Sequence, residues 1–320
     1  MPIIQSKFKP AWWLRSGHAQ TLWPKLFRLK PKMEMAWQRV ELIDGDFIDL
    51  VWSGPKEGRT VLLLHGLEGN INSPYILGLM HELELRGYRS CLMHFRGCSG
   101  EPNRLSESYH SGKTADPQQI LWYLKEHMDI DLYAAIGVSL GGNVLLKWLG
   151  EQGCASSLKR AAVMSVPFSL GHAAERMNRG FSRFYQWHLI RSLQKGYKNK
   201  FARIPSPLSV DVDGLDSFRL FDDQVTAPLN GFKGADDYYT QVSSRQFIPD
   251  ICVPTLILHA VDDPFMFPYS VPHEDELPEN VWLELVEHGG HAGFISGLLP
   301  GRANYWGERR LADWIDGQER

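Results

Sequence analysis

Cysteine is scarce in this sequence. The four cysteines among 320 residues, at positions 91, 98, 154 and 252, form no Cys-x-x-Cys pair and fall far below the density of a disulfide scaffold. That excludes a zinc ribbon or a small stapled domain, and it suits a reducing compartment. An excess of one charge is also lacking. With 34 Lys and Arg against 37 Asp and Glu, the formal charge of −3 offers no reason to expect nucleic acid or an anionic membrane as the main partner. No apolar run reaches the roughly 18 residues of a spanning helix. Met1 to Arg15 interrupts its apolar residues with Lys7, Lys9 and Pro10, so neither signal peptide nor anchor is expected and the expected location is cytoplasmic. No Gly-x-x-x-x-Gly-Lys-Ser/Thr phosphate loop, internal repeat or low-complexity linker occurs.

What the chain does hold is enough apolar residue, 43%, for a large core, and an alternating order of strand and helix patterns. Val40 to Trp52 alternates around Asp44-Gly45-Asp46 and reads as a hairpin. Strand patterns follow at Thr60–His65, Arg89–Phe95, Tyr133–Ile136, Ala161–Val166, Thr255–Ala260 and Val281–Val286. Ser73-Pro74 opens a helix and Asp116-Pro117 looks like a second helix N-cap, while Arg310–Ile315 belongs to a closing helix. The alternation predicts an α/β protein with a mainly parallel central sheet and helices on both faces. It stops between Pro167 and Pro254, where Phe181, Phe184, Tyr185 and Trp187 crowd together. Residues 1–320 are therefore read as one domain with an inserted helical cap at 167–253. Helical spacing would put Phe181, Phe184 and Tyr185 on one face, either packing the core or lining an acyl pocket.

Chemistry concentrates at Gly137-Val138-Ser139-Leu140-Gly141, between a strand pattern and the helical run Gly142 to Trp148. A serine on such a turn is pushed out above the sheet, and it needs a base, an orienting carboxylate and oxyanion donors to act as a nucleophile. A suitable carboxylate and base follow the later strands. Asp263 in His259-Ala260-Val261-Asp262-Asp263-Pro264 is the carboxylate, its Asp-Pro step turning away from the strand, with Asp262 as the adjacent alternative. His291 in Glu287-His288-Gly289-Gly290-His291 is the base, and His288 is its competitor. The backbone N–H of Leu140, at a helix start, and of Leu67, in His65-Gly66-Leu67-Glu68-Gly69, would face the oxyanion. The rival chemistry is a metal site, since His288 and His291 are three apart and His94 and Cys98 four apart, but neither pair sits in an evident helix with further ligands.

Beyond these residues, Leu14-Arg15-Ser16-Gly17-His18-Ala19-Gln20-Thr21-Leu22, His94-Phe95-Arg96-Gly97-Cys98-Ser99-Gly100 and Tyr109-His110-Ser111-Gly112 are distinctive. With them the chain resembles the YheT-like, or Emb8-type, branch of the α/β-hydrolase superfamily across nearly its whole length. The resemblance implies the α/β-hydrolase fold and a carboxylic-ester hydrolase with Ser139, Asp263 and His291 as its charge-relay system. Arg96, Tyr109 and His110 are expected to form a structural network near the site. The expected substrate is a small-molecule or lipid-like ester with a short- to medium-chain acyl group, with no cofactor, metal, nucleic acid or transmembrane segment. The alternatives are alcohol O-acyl transfer through the same acyl-enzyme, and a non-catalytic binding protein on the same fold.

Overall fold

The computed structural model describes residues 2–318. Nine strands form one sheet in the order β1-β9-β8-β7-β6-β4-β5-β3-β2. They are β1 (Ile3–Ile4), β2 (Ala36–Glu41), β3 (Phe47–Ser53), β4 (Thr60–Leu64), β5 (Arg89–Met93), β6 (Leu132–Val138), β7 (Arg160–Met164), β8 (Thr255–Ala260) and β9 (Val281–Val286). The hairpin read around Asp44 is β2 and β3, paired Val40 to Ile48, and β3 then lies antiparallel to β5. From β5 through to β1 every neighbour is parallel. β1 was not legible, because two isoleucines are too few to show a period.

The sheet is covered on both sides, which is why its strands read as continuous apolar runs. In β4, Leu62 and Leu64 pack with α3 (Ala115–Met128) and α4 (Leu140–Gln152), through Ile120, Leu124, Val144 and Leu145. Val61 and Leu63 point the other way, onto Ile76 and Leu79 of α2 (Pro74–Leu85) and Leu311 and Trp314 of the C-terminal helix Trp306–Ile315. Pro74 sits in the first turn of α2, where its missing N–H costs nothing. Asp116 is not the cap of α3. Its carboxylate is instead held by the buried Arg96 guanidinium at 2.7 and 2.9 Å.

At the N-terminus α1 (Gly17–Phe27) is capped by Ser16, whose hydroxyl accepts the Ala19 N–H. Between β7 and β8 the chain is helical, with α5 (Leu170–Met177), α6 (Ser182–Phe201) and later shorter helices around two apolar clusters of their own. The cysteine spacing gave no sign of a pair, yet Cys154 and Cys252, 98 residues apart, form a disulfide. The end of α4 and the approach to β8 lie side by side, so closely that a Cβ on Gly150 would come within 2.2 Å of the Phe247 carbonyl oxygen. Among the described residues, no helix is long and apolar enough to cross a membrane.

Candidate active site

Ser139 is the single residue between β6 and α4, with φ 54° and ψ −121°. A side chain rarely tolerates that backbone, and here its neighbours are what allow it. A Cβ on Gly137 would lie 2.5 Å from the Gly141 carbonyl oxygen, and one on Gly141 would lie 2.3 Å from that of Leu64. The turn can close only with glycine at both places, and closing it lifts Ser139 to the carboxyl end of the sheet.

The sheet brings Ser139, His291 and Asp263 together there. His291 Nε2 is 3.0 Å from Ser139 Oγ, while its Nδ1 is 2.9 and 3.2 Å from the two oxygens of Asp263. A carboxylate only accepts hydrogen bonds, so Nδ1 carries the proton and Nε2 offers its lone pair to the serine. Asp263 is buried, and its Oδ1 also accepts the Phe265 N–H at 2.8 Å. The adjacent carboxylate does other work. Asp262 Oδ1 accepts the N–H groups of Gly289 and Gly290 at 2.8 and 2.9 Å, and its Oδ2 faces His288 Nδ1 at 3.3 Å. The two histidines thus diverge to different partners rather than converging on a common ligand position.

Several residues that the sequence reading left without a role clamp this loop. Thr21 Oγ1 accepts the His291 N–H, and Ser165 Oγ accepts the Ala292 N–H, both at 2.9 Å. The buried Gln20 side chain accepts the Ile295 N–H and donates to the Ile295 and Leu14 carbonyls. The Phe265 ring stacks on His291 at 3.9 Å between centroids. Gln20 and Thr21 lie inside the N-terminal motif noted in the sequence, but their partner is some 270 residues away and no local pattern records it.

Leu67 and Leu140 flank Ser139 in one cavity, and no acceptor among the described residues takes either N–H. The loop carrying Leu67 is fastened on every side. His65 is wholly buried, which pushes its pKa down to about 3, so it stays neutral while donating from Nδ1 to the Gly66 carbonyl and accepting the Phe95 N–H at Nε2. Tyr75 accepts the Gly66 N–H, His94 Nε2 accepts that of Ile71, and Tyr109 accepts that of Glu68 while donating to its carboxylate. Arg96 stands further off, spent on Asp116, Asp44 and Asp46. His110 accepts the Gly112 N–H and is held neutral by burial.

The cavity at Ser139 measures about 120 Å³ and is mainly apolar, walled by Leu170, Met177, Leu189, Leu193, Tyr238 and Met266 among others. Phe181, Phe184 and Trp187 are not part of that wall. They are about half exposed, because the register of α6 turns Leu189 and Leu193 inward instead, and only Tyr185 of the aromatic group is buried. One carboxyl does reach the cavity. Asp222, in a π-helical turn, bonds Tyr239 and Thr226, and burial raises its pKa to about 6. A larger cavity of about 570 Å³, with a more polar lining, adjoins it at Tyr109, Leu193 and Thr226.

Residues 59–298 match the alpha/beta hydrolase fold family. The chain is 42% identical over 317 residues to "Putative esterase YheT" of Escherichia coli, covering 97% of this chain and 93% of that protein. It is 29% identical to "Phospholipase ABHD3" of Homo sapiens, covering 95% of this chain and 77% of the relative. A structure of the Pyrococcus furiosus esterase Pf2001 superposes with a TM-score of 0.57 at 16% identity, covering 89% of this chain and 93% of that one. At that identity the likeness speaks to the fold alone.

Proposed function

The chain belongs to the alpha/beta hydrolase fold family, in the branch that holds the Escherichia coli esterase-like protein, and from that membership we propose a serine hydrolase of carboxylic esters. The observation that carries the proposal is the continuous hydrogen-bonded chain from Asp263 through His291 to Ser139. In this reading His291 Nε2 takes the Ser139 proton as Oγ attacks the acyl carbon, and Asp263 stabilises the imidazolium that forms. The charge that builds on the former carbonyl oxygen is met in this reading by the backbone N–H groups of Leu67 and Leu140, which border the cavity beside Ser139. Collapse breaks the bond to the alcohol oxygen, which receives the proton from His291. Water, deprotonated by the same histidine, then attacks the acyl-enzyme and releases the acid.

The apolar wall supports a short- to medium-chain acyl group, and the name of the human relative supports a lipid-like ester. Residues 167–253 act in this reading as a cap on a single catalytic domain, since α5 and α6 supply part of that wall. The cytoplasm is the proposed location, against which the Cys154–Cys252 disulfide stands as a feature of oxidising compartments, and cell fractionation that recovers the native protein outside the cytoplasm with that disulfide intact would overturn it. A fluorophosphonate probe tests the chemistry directly. Stoichiometric labelling of Ser139 is expected, and a folded protein that does not label would overturn the proposal in favour of a binding role.

A further inference from the structure

The overall charge of −3 hides a strong segregation. From Met1 to Met33 the sequence holds seven Lys and Arg and no acid, and from Arg176 to Val210 eight and no acid. All 37 acids, with the other 19 Lys and Arg, lie elsewhere. The fold brings these two basic segments side by side. His18 of α1 lies 3.1 Å from the Tyr185 hydroxyl of α6 and packs edge-on against Phe181, and Lys25 Nζ is 2.8 Å from His188 Nε2.

Helix α6 has two unlike sides. Leu189 and Leu193 face the cavity at Ser139. At i, i+3, i+7 and i+11, the outer side presents Phe184, Trp187, Arg191 and, at the rim of the larger cavity, Lys195. Phe184 is 49% exposed and Trp187 51%, their rings stack at 6.0 Å, and the Arg191 guanidinium sits 4.9 Å over the Trp187 ring. Exposed Phe181, just before α6, continues this surface, and α1 adds exposed Leu26 and Phe27 beside Lys25. Arg179 and Lys198 are paired with Glu175 and Asp213, but among the described residues Arg183, Arg191 and Lys195 have no acidic partner. A contiguous aromatic surface studded with unpaired cations is costly to leave in water and marks an interaction site.

We propose that the outer face of α6, with the adjoining end of α1, docks the protein peripherally on an anionic lipid surface. Half-exposed aromatic rings settle at the boundary of headgroup and acyl chain, and guanidinium and ammonium groups one or two helical turns away meet the lipid phosphates. The charge complementarity selects this occupant, since the outer side of α6 carries Arg183, Arg191 and Lys195 without an acidic partner among the described residues, against one exposed carboxylate, Asp216, bordering the groove beside Phe184 and Trp187, and the exposed apolar groups there are rings suited to that boundary. Docking would lay α6 between the lipid and the cavity whose wall its other side forms. The inference goes beyond ester hydrolysis and does not depend on it.

The test uses the full chain carrying Ser139→Ala, so that binding is read without turnover. Flotation with mixed phosphatidylglycerol–phosphatidylcholine vesicles is expected to carry the protein, and vesicles of phosphatidylcholine alone are expected not to. Raised salt should weaken the binding, as screening requires. Arg191→Ala and Lys195→Ala should each weaken partition about fivefold. Trp187→Ser should weaken it further and reduce the blue shift of tryptophan fluorescence that vesicles produce. Arg191→Ala and Trp187→Ser made with Ser139 intact should leave hydrolysis of a soluble ester unchanged, which separates lost docking from misfolding. Equal binding to neutral and anionic vesicles would overturn the proposal, as would binding that the paired charge removals leave untouched. Preferential binding of a single-stranded oligonucleotide over the anionic vesicles would reassign the surface to nucleic acid.

Discussion

Replacing Asp263 by Asn separates the proposed machinery from its scaffold, because the substitution keeps size and removes charge. Asp263 Oδ1 accepts the Phe265 N–H at 2.8 Å, so an asparagine there keeps its carbonyl oxygen on that N–H and turns its NH2 towards His291 Nδ1. A donor facing Nδ1 forces the proton of the neutral ring onto Nε2, and Nε2 then cannot take the proton of Ser139. The same tautomer fault in a serine protease lowers kcat about 10⁴-fold, equivalent to roughly 5 kcal/mol of transition-state stabilisation. KM should change little, since Asp263 does not itself line the cavity. Asp262→Asn is the matched control. Its amide oxygen can still accept the Gly289 and Gly290 N–H groups, so less than about a tenfold loss is expected, within what one hydrogen bond contributes. Steady-state kinetics on a p-nitrophenyl ester, with circular dichroism to verify folding, reads both. An active Asp263→Asn alongside an inactive Asp262→Asn would refute the reasoning and transfer the role to the neighbour.

Ser139→Ala should abolish ester hydrolysis with unchanged thermal stability, and a retained acyl burst in that variant would remove Ser139 from the mechanism. Gly141→Ala places a methyl 2.3 Å from the Leu64 carbonyl oxygen, so it should destabilise by at least about 1–3 kcal/mol, and a urea midpoint equal to the wild type would contradict that geometry. For the acyl pocket, kcat/KM should climb from acetyl to hexanoyl esters by up to about fourfold per methylene, from about 0.8 kcal/mol each, and Leu193→Trp should lower the hexanoyl-to-acetyl ratio. A flat profile in the wild type would show that the cavity does not hold the acyl chain. Burial lowers the pKa of His65 and His110 to about 3 and of His259 to about 4, so below pH 6.5 the unfolded chain binds three protons that the fold excludes, and stability falls with pH. Burial raises Asp222 to about 6 and Glu308 to about 7, which acts in the opposite sense, but burial also lowers His18, His94 and His188, so between pH 6 and 5 the histidines prevail and stability should fall on acidification. A urea midpoint that rises on acidification through that window would contradict the balance.

The sequence by itself determined the doubly covered sheet, because strands buried on both faces must be apolar at every position, as Val61, Leu62, Leu63 and Leu64 are. It determined the sharp turn at Ser139 as well, since glycines 137 and 141 record the close approach of backbone to backbone. It also confined the partner residues to the loops after β8 and β9, where strand ends face the turn. Between neighbouring candidates it could only lean. Asp262 and Asp263 differ in role because successive side chains leave the same turn in different directions, one to the glycine amides and the other to His291. Only the tertiary structure could decide that Thr21 and Gln20 hold the His291 loop, that Leu193 rather than Phe184 faces the cavity, and that Cys154 meets Cys252. It alone brought two basic segments, more than 140 residues apart in sequence, onto one face. Each of these depends on how elements distant in the chain are rotated and packed against one another, and a helix or loop carries no local record of the partner that selects its inward side.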